Sequence, residues 1–266
     1  MLCSLFEFLT KNKRMSIYKI PGPLLIALGG LFLSSGGTIF RSFEMIDPWA
    51  IYFWRSIFFT PSVLLFVYLT AENKSDITVK FKRLGWAGIV CAILLATGSG
   101  SYMFALKYTT VANVVFIISV QTFFLAVAGY FFLQEKINVS TAVAILLAAI
   151  GLYIMIGTKI SGGTALGNAL AFVIPTAFTA VVILIRTFKH IDMVPAVAVS
   201  GLFAAVAGFL FSGSIAISMH DLILVFFFGA LQYAPGFICL TLGSRTTPSA
   251  KIGIFAFTEA LAGPIW

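Results

Sequence analysis

Eight stretches of about 20 mostly apolar residues follow one another along this chain, at roughly 21–40, 48–69, 84–106, 111–133, 139–157, 166–185, 194–212 and 222–243. A helix rising ~1.5 Å per residue needs about that length to cross the ~30 Å hydrocarbon core of a bilayer. No water reaches the backbone there, so each stretch must satisfy its own hydrogen bonds as a helix. A ninth stretch opens near Pro248 and runs to Trp266. The chain therefore reads as an all-α integral membrane protein. Composition agrees, because only 10% of its 266 residues are charged, too few to cover a water-facing surface. Residues 1–20 do not read as a signal peptide: no basic residue precedes the run Leu2–Leu9, and no small-residue cleavage site follows. Met15 is an alternative start.

The placement of basic residues orients these spans. With the N-terminus in the cytoplasm, thirteen fall inside: Lys11, Lys13, Arg14, Lys19, Lys74, Lys80, Lys82, Arg83, Lys136, Arg186, Lys189, Arg245 and Lys251. Three fall outside (Arg41, Lys107, Lys159), and Arg55 lies within a span. Such a bias follows the positive-inside rule and implies a multi-pass protein of the cell (inner) membrane. It also accounts for the net charge of +8 as a collar facing anionic headgroups rather than a nucleic-acid surface. The three cysteines, Cys3, Cys91 and Cys239, are scattered and suggest neither a disulfide framework nor a metal site.

An internal repeat refines the topology. Arg41-Ser-Phe-Glu-Met-Ile-Asp47 returns as Arg186-Thr-Phe-Lys-His-Ile-Asp192, at an offset of 186 − 41 = 145. The first corner lies outside and the second inside, so the two halves are inverted, as five spans per half would produce. A second correspondence has an offset of 259 − 121 = 138: Thr109 falls on Thr247, Ala112 on Ala250 and Gln121 on Glu259. The shift of seven is assigned to a longer loop at 71–83 than at its partner near 213–221. Projecting the end of the fifth span by the same offset predicts a full protein of roughly 295 residues. The missing portion would be the rest of the ninth span and a tenth, and without it the chain is expected to be transport-dead and poorly stable.

With these segments placed, the chain resembles the ten-helix drug/metabolite transporter superfamily, in particular proteins with paired EamA domains. The resemblance rests on Asp47-Pro48 with Phe53-Trp54-Arg55, on Ala105-Leu106-Lys107-Tyr108-Thr109-Thr110 with Ala112-Asn113, and on Phe131-Phe132-Leu133-Gln134-Glu135. Phe257-Thr258-Glu259 and Pro264-Ile265-Trp266 complete it. One departure is Gln121-Thr122, where the fourth span of such proteins often carries a proline. The resemblance implies two EamA-like repeats, 21–157 and an incomplete 166–266. It also implies secondary transport of a small metabolite, often export, without naming the substrate.

Candidate mechanistic residues are the polar and irregular positions inside spans. Glu259 sits near the centre of the ninth stretch, where an ionised carboxylate costs several kcal/mol unless paired, hydrated or protonated. Its repeat partner Gln121 is central in the fourth. The two suggest substrate or coupling sites at a shared cavity, against the plainer reading of interhelical hydrogen bonds. Arg55 lies seven residues into the second span, about 10 Å deep. It suits a substrate carboxylate or phosphate, or an ion pair with Glu259. Gly29-Gly30 and Ile174-Pro175 occupy equivalent positions at the 145 offset, so Gly29, Gly30 and Pro175 are candidate hinges or cavity-lining residues. Ser34-Ser35-Gly36-Gly37 reads as packing, Asp47 and Asp192 as helix caps, and Pro61 and Pro235 as kinks.

The expected partners are a small-molecule substrate and the lipid bilayer, with proton or ion coupling and a homodimer left open. No nucleic acid and no cofactor is expected. Gly98-Ser99-Gly100-Ser101 looks superficially like a nucleophile turn, but His190 and His220 fall at opposite faces, so an enzyme is disfavoured. Clustered metal ligands and a phosphate loop are both missing from the sequence. A channel or a non-transporting scaffold is the alternative to a carrier.

Overall fold

The structure, a computed structural model, describes residues 20–44, 47–71, 74–136 and 163–265, with isolated positions between 139 and 150. Its helices are α1 (Gly22–Arg41), α2 (Pro48–Thr70), α3 (Lys74–Arg83), α4 (Gly85–Tyr108), α5 (Val111–Leu133), α6 (Ala165–Thr187), α7 (Val194–Phe211), α8 (Met219–Ser244), α9 (Ser249–Ala256) and α10 (Thr258–Ala262). Among the described residues there is no strand, only a single antiparallel bridge between Thr109 and Gly163. Seven of these helices, all but α3, α9 and α10, are long and apolar enough to cross a membrane. The expected fifth stretch, 139–157, lies outside the described residues, so the span count is seven here rather than eight.

Helix starts follow local chemistry. Asp47 accepts from the backbone N of Trp49 at 2.9 Å and Pro48 takes the first helical position. Proline loses nothing there, because that N–H has no intrahelical partner. Asp192 likewise accepts from Val194 N at 3.1 Å, while Thr110, Thr164 and Ser218 cap α5, α6 and α8. The segment 71–83, expected as a loop, is largely helical. Asp76 and Lys80 stand one turn apart at 3.6 Å, and Lys80 also reaches Asp192 at 3.8 Å. Paired charges one turn apart support this polar helix, and Ile77 and Phe81, also one turn apart, pack it on the core.

The long helices are interrupted rather than uniform. α1 breaks at Ser34-Ser35, one turn beyond Gly29-Gly30, through which it runs unbroken. The small-residue run expected only to pack is thus also where the helix yields. α5 breaks at Val120, and the chain turns at Phe257 between α9 and α10. α8 widens into a π-helical turn over Phe227–Tyr233, just before Pro235. A proline cannot donate to the carbonyl four residues back, and a wider turn is one way to absorb that loss. α2 and α6 remain continuous through Pro61 and Pro175.

Packing is reciprocal: α1 lies against α8 as α6 lies against α4, while α2 meets α7 and α5 meets α9. Small residues allow these approaches. A Cβ added at Gly253 would stand 2.5 Å from the Thr122 Cα, and one at Gly236 would meet Leu33 at 2.8 Å. Between helices in lipid, such close fitting supplies the attraction that water expulsion supplies elsewhere. The outer faces expose Leu65, Ile93, Phe131, Phe132, Leu210 and Leu261, an apolar skirt suited to acyl chains.

The two repeated corners lie at opposite ends of the bundle. Arg41 donates to the Thr109 carbonyl at 2.9 Å, and Gly213 N donates to Asp47 at 3.2 Å. At the other end Arg186 pairs with Glu135, Lys80 with Asp192, and Arg245 donates to the Lys189 carbonyl at 3.1 Å.

Candidate functional site

The interruptions in α1, α5, α8 and α9–α10 converge on one cavity. It is walled by the middle turns of α1, α4, α5, α6 and α8 and by the α9–α10 junction, and its volume is about 70 Å³. The wall is mainly apolar and aromatic, with Ser99, Tyr102, Gln121, Gln232 and Glu259 as its polar points. An apolar and aromatic wall with a few polar groups converging on it has the form of a site for a small organic solute.

Each polar point is placed by a local departure from helix. Gln121 begins the second segment of α5 and is 6% exposed, facing the space opened at Val120. Glu259 stands in the first turn of α10, just past the turn at Phe257. Its carboxylate has no hydrogen bond or ion pair among the described residues. Thr258 beside it donates to the Ala27 carbonyl at 3.0 Å, fastening this turn to α1. Gly30 makes that approach feasible: a Cβ there would collide with the Thr258 hydroxyl and meet the Glu259 backbone nitrogen at 3.0 Å. Gln232, in the π-helical turn of α8, gives its Nε2–H to the Leu33 carbonyl at 2.9 Å, where α1 breaks. Its Oε1 is buried and unpartnered.

Arg55 takes a different position. It is 1% exposed and stands behind the cavity wall, its Nη2 donating to the Ser99 hydroxyl. Its guanidinium carbon lies 4.1 Å from the ring centroid of Tyr233 and 5.3 Å from those of Tyr52 and Phe228. No carboxylate among the described residues pairs with it. The sequence option of an Arg55–Glu259 ion pair is not present in this structure. The mid-span position of the other copy is Ser200, which donates to its own helix at Val197.

Of the sequence candidates, Gly30, Gln121 and Glu259 lie on the cavity wall and Arg55 lies behind it. Gly29 faces α8, where a Cβ would meet Leu240 at 2.9 Å and the Gly236 carbonyl at 3.0 Å. Pro175 is buried in α6, and its neighbour Ile174 reaches the wall instead. The sequence did not single out Tyr102, Gln232 or Tyr233, and it weighed Ser99 only as a nucleophile. A polar residue inside an apolar stretch was available as a signal for Gln232. His190 and His220 sit at opposite ends, as read from the sequence. His220 does come beside Glu44 and Asp221, with ligand atoms within 4.8 Å of one another. Asp221 there accepts from the backbone N of Glu44 at 3.0 Å, which ties the loop before α2 to the start of α8.

Comparison with known proteins identifies the family and a similar fold. The sequence profile of the EamA-like transporter family matches residues 20–157. The chain belongs to that family, and it is a multi-pass membrane protein of the drug/metabolite transporter type. A search of curated proteins finds no match. A solved structure, described only as the crystal structure of a protein, is similar in fold with a TM-score of 0.73 at 13% identity. The likeness covers 92% of this chain and 87% of that one.

Proposed function

We propose that this protein is a secondary transporter that moves a small metabolite, an amino acid or related organic solute, through the central cavity by alternating access. Export is the direction the family resemblance favours. Two inverted repeats rock about the cavity, with the N-terminus cytoplasmic, and Glu259 carries the coupling proton. One observation carries the reading: α5 breaks at Val120 and the α9–α10 helix turns at Phe257, and the residues just beyond, Gln121 and Glu259, share one cavity wall. Paired broken helices with polar groups at matching depth are the signature of an inverted-repeat carrier site. The reciprocal packing of α1 on α8 and α6 on α4, and the corners at opposite ends, support the inversion. The basic residues gathered at the Arg186 end support its placement in the cytoplasm.

A lone carboxylate in such a cavity takes a proton or a cation with it when it leaves water. That makes Glu259 a coupling group rather than an ornament of packing. Solute counterflow in proteoliposomes tests the reading. A carrier accelerates labelled uptake when unlabelled solute is preloaded, a channel passes solute without that acceleration, and a scaffold does neither.

A further inference from the structure

We infer that the carried solute bears a carboxylate, and that Ser99 with Arg55 behind it forms the carboxylate subsite of the cavity. The inference rests on the cavity being a solute site, as proposed above. Four observations carry it. Arg55 is a cation enclosed in protein, 1% exposed, with no carboxylate partner among the described residues. Its Nε and Nη1 donors are buried and make no hydrogen bond of good geometry, although the Tyr233 hydroxyl interacts with the guanidinium. Its third donor group is spent on Ser99, which itself lines the cavity. The aromatic rings that surround it, Phe228 and Tyr233, line the cavity too.

Cation–π contacts offset part of the cost of removing a guanidinium from water, but they leave the charge uncompensated and the two donors unmet. An anion at the wall would complete the site. Ser99 accepts from Arg55, and its own proton, beside the Tyr52 and Tyr233 hydroxyls, can turn to a head group at the wall, which then joins a chain ending on the cation. The charge count favours a carboxylate over a phosphate dianion. Among the described residues no lysine or second arginine lines the cavity, and Glu259 adds a carboxylate of its own. Leu94, Phe178 and Phe237 on the wall then leave an apolar or aromatic body as the rest of the solute.

Three probes with one body and different heads test this: phenylacetate, 2-phenylethanol and 2-phenylethylamine. Apparent affinities are read from ligand-dependent melting of the detergent-purified protein. Phenylacetate should stabilise the wild type most. Arg55→Gln should weaken phenylacetate by at least about tenfold, since a hydrogen bond to a charged group is worth ~1.5 kcal/mol or more, and leave the alcohol unchanged. Arg55→Lys should weaken the acid alone and Ser99→Ala the acid more than the alcohol, and they carry the test if Arg55→Gln does not fold. Equal phenylacetate affinity in wild type and these variants overturns the subsite. So does a wild type that answers the alcohol or amine but not the acid, an outcome that leaves the cavity standing as a solute site. A folded protein that answers none of the three overturns the subsite and the transport reading together.

Discussion

Glu259 and Arg55 are both charged side chains inside the helical bundle, yet the fold surrounds them in opposite ways. Glu259 stands on an open wall with no partner, at a turn where α10 begins. Arg55 is sealed behind the wall by three aromatic rings and one hydroxyl. A carboxylate on the cavity wall can exchange its proton with whatever fills the cavity. A caged cation cannot give up its charge and can only be answered by a ligand or left unanswered. Under the function proposed here, the difference separates two tasks in the transport of a charged solute, a group that changes charge and a group that does not.

The comparison can be broken from either side, and the largest effect is expected at Gly30. A methyl there would strike the turn that presents Glu259, so Gly30→Ala should cost about 2–3 kcal/mol of stability by overpacking. Thermal melting in detergent measures this, and an unchanged melting temperature would detach Glu259 from its support on α1. A smaller loss is expected at Glu135. Its carboxylate pairs with Arg186 and also accepts from Ser249 N at 2.7 Å, which anchors the start of α9. Glu135→Gln should therefore cost roughly 1–2 kcal/mol, with both partners less than a quarter exposed. The smallest effect is expected at the caged cation. Arg55→Met keeps the volume and removes the desolvated charge, so stability should change by no more than about 1 kcal/mol. A fall of several kcal/mol would mean that the cage depends on the cation and that Arg55 is a structural centrepiece.

How far these features were legible in the sequence follows from their range. The spans could be read because lipid demands about 20 apolar residues whatever the tertiary context. Glu259 and Gln121 could be singled out because a polar group there is costly and its repeat partner falls at matching depth. The break at Ser34-Ser35 and the role of Gln232 could not. They answer one another across 199 residues, through the bond from Gln232 Nε2 to the Leu33 carbonyl. Gly29 and Gly30 looked equivalent in sequence, but neighbouring residues on a helix point about 100° apart. One therefore packs on α8 while the other admits the Glu259 turn. α3 was missed for a different reason: it is short and mostly polar, and its apolar pair, Ile77 and Phe81, is brief beside the long apolar spans.

The most direct test of the account is solute transport driven by a pH step across proteoliposomes of the full-length protein, comparing wild type with Glu259→Gln. The substitution keeps the side chain's shape and removes its exchangeable proton. Folding and membrane insertion should be preserved, pH-driven transport should be abolished, and solute-for-solute exchange should survive, because exchange moves no net proton. A Glu259→Gln protein that transports with an unchanged pH profile would contradict the account and leave the carboxylate a packing partner.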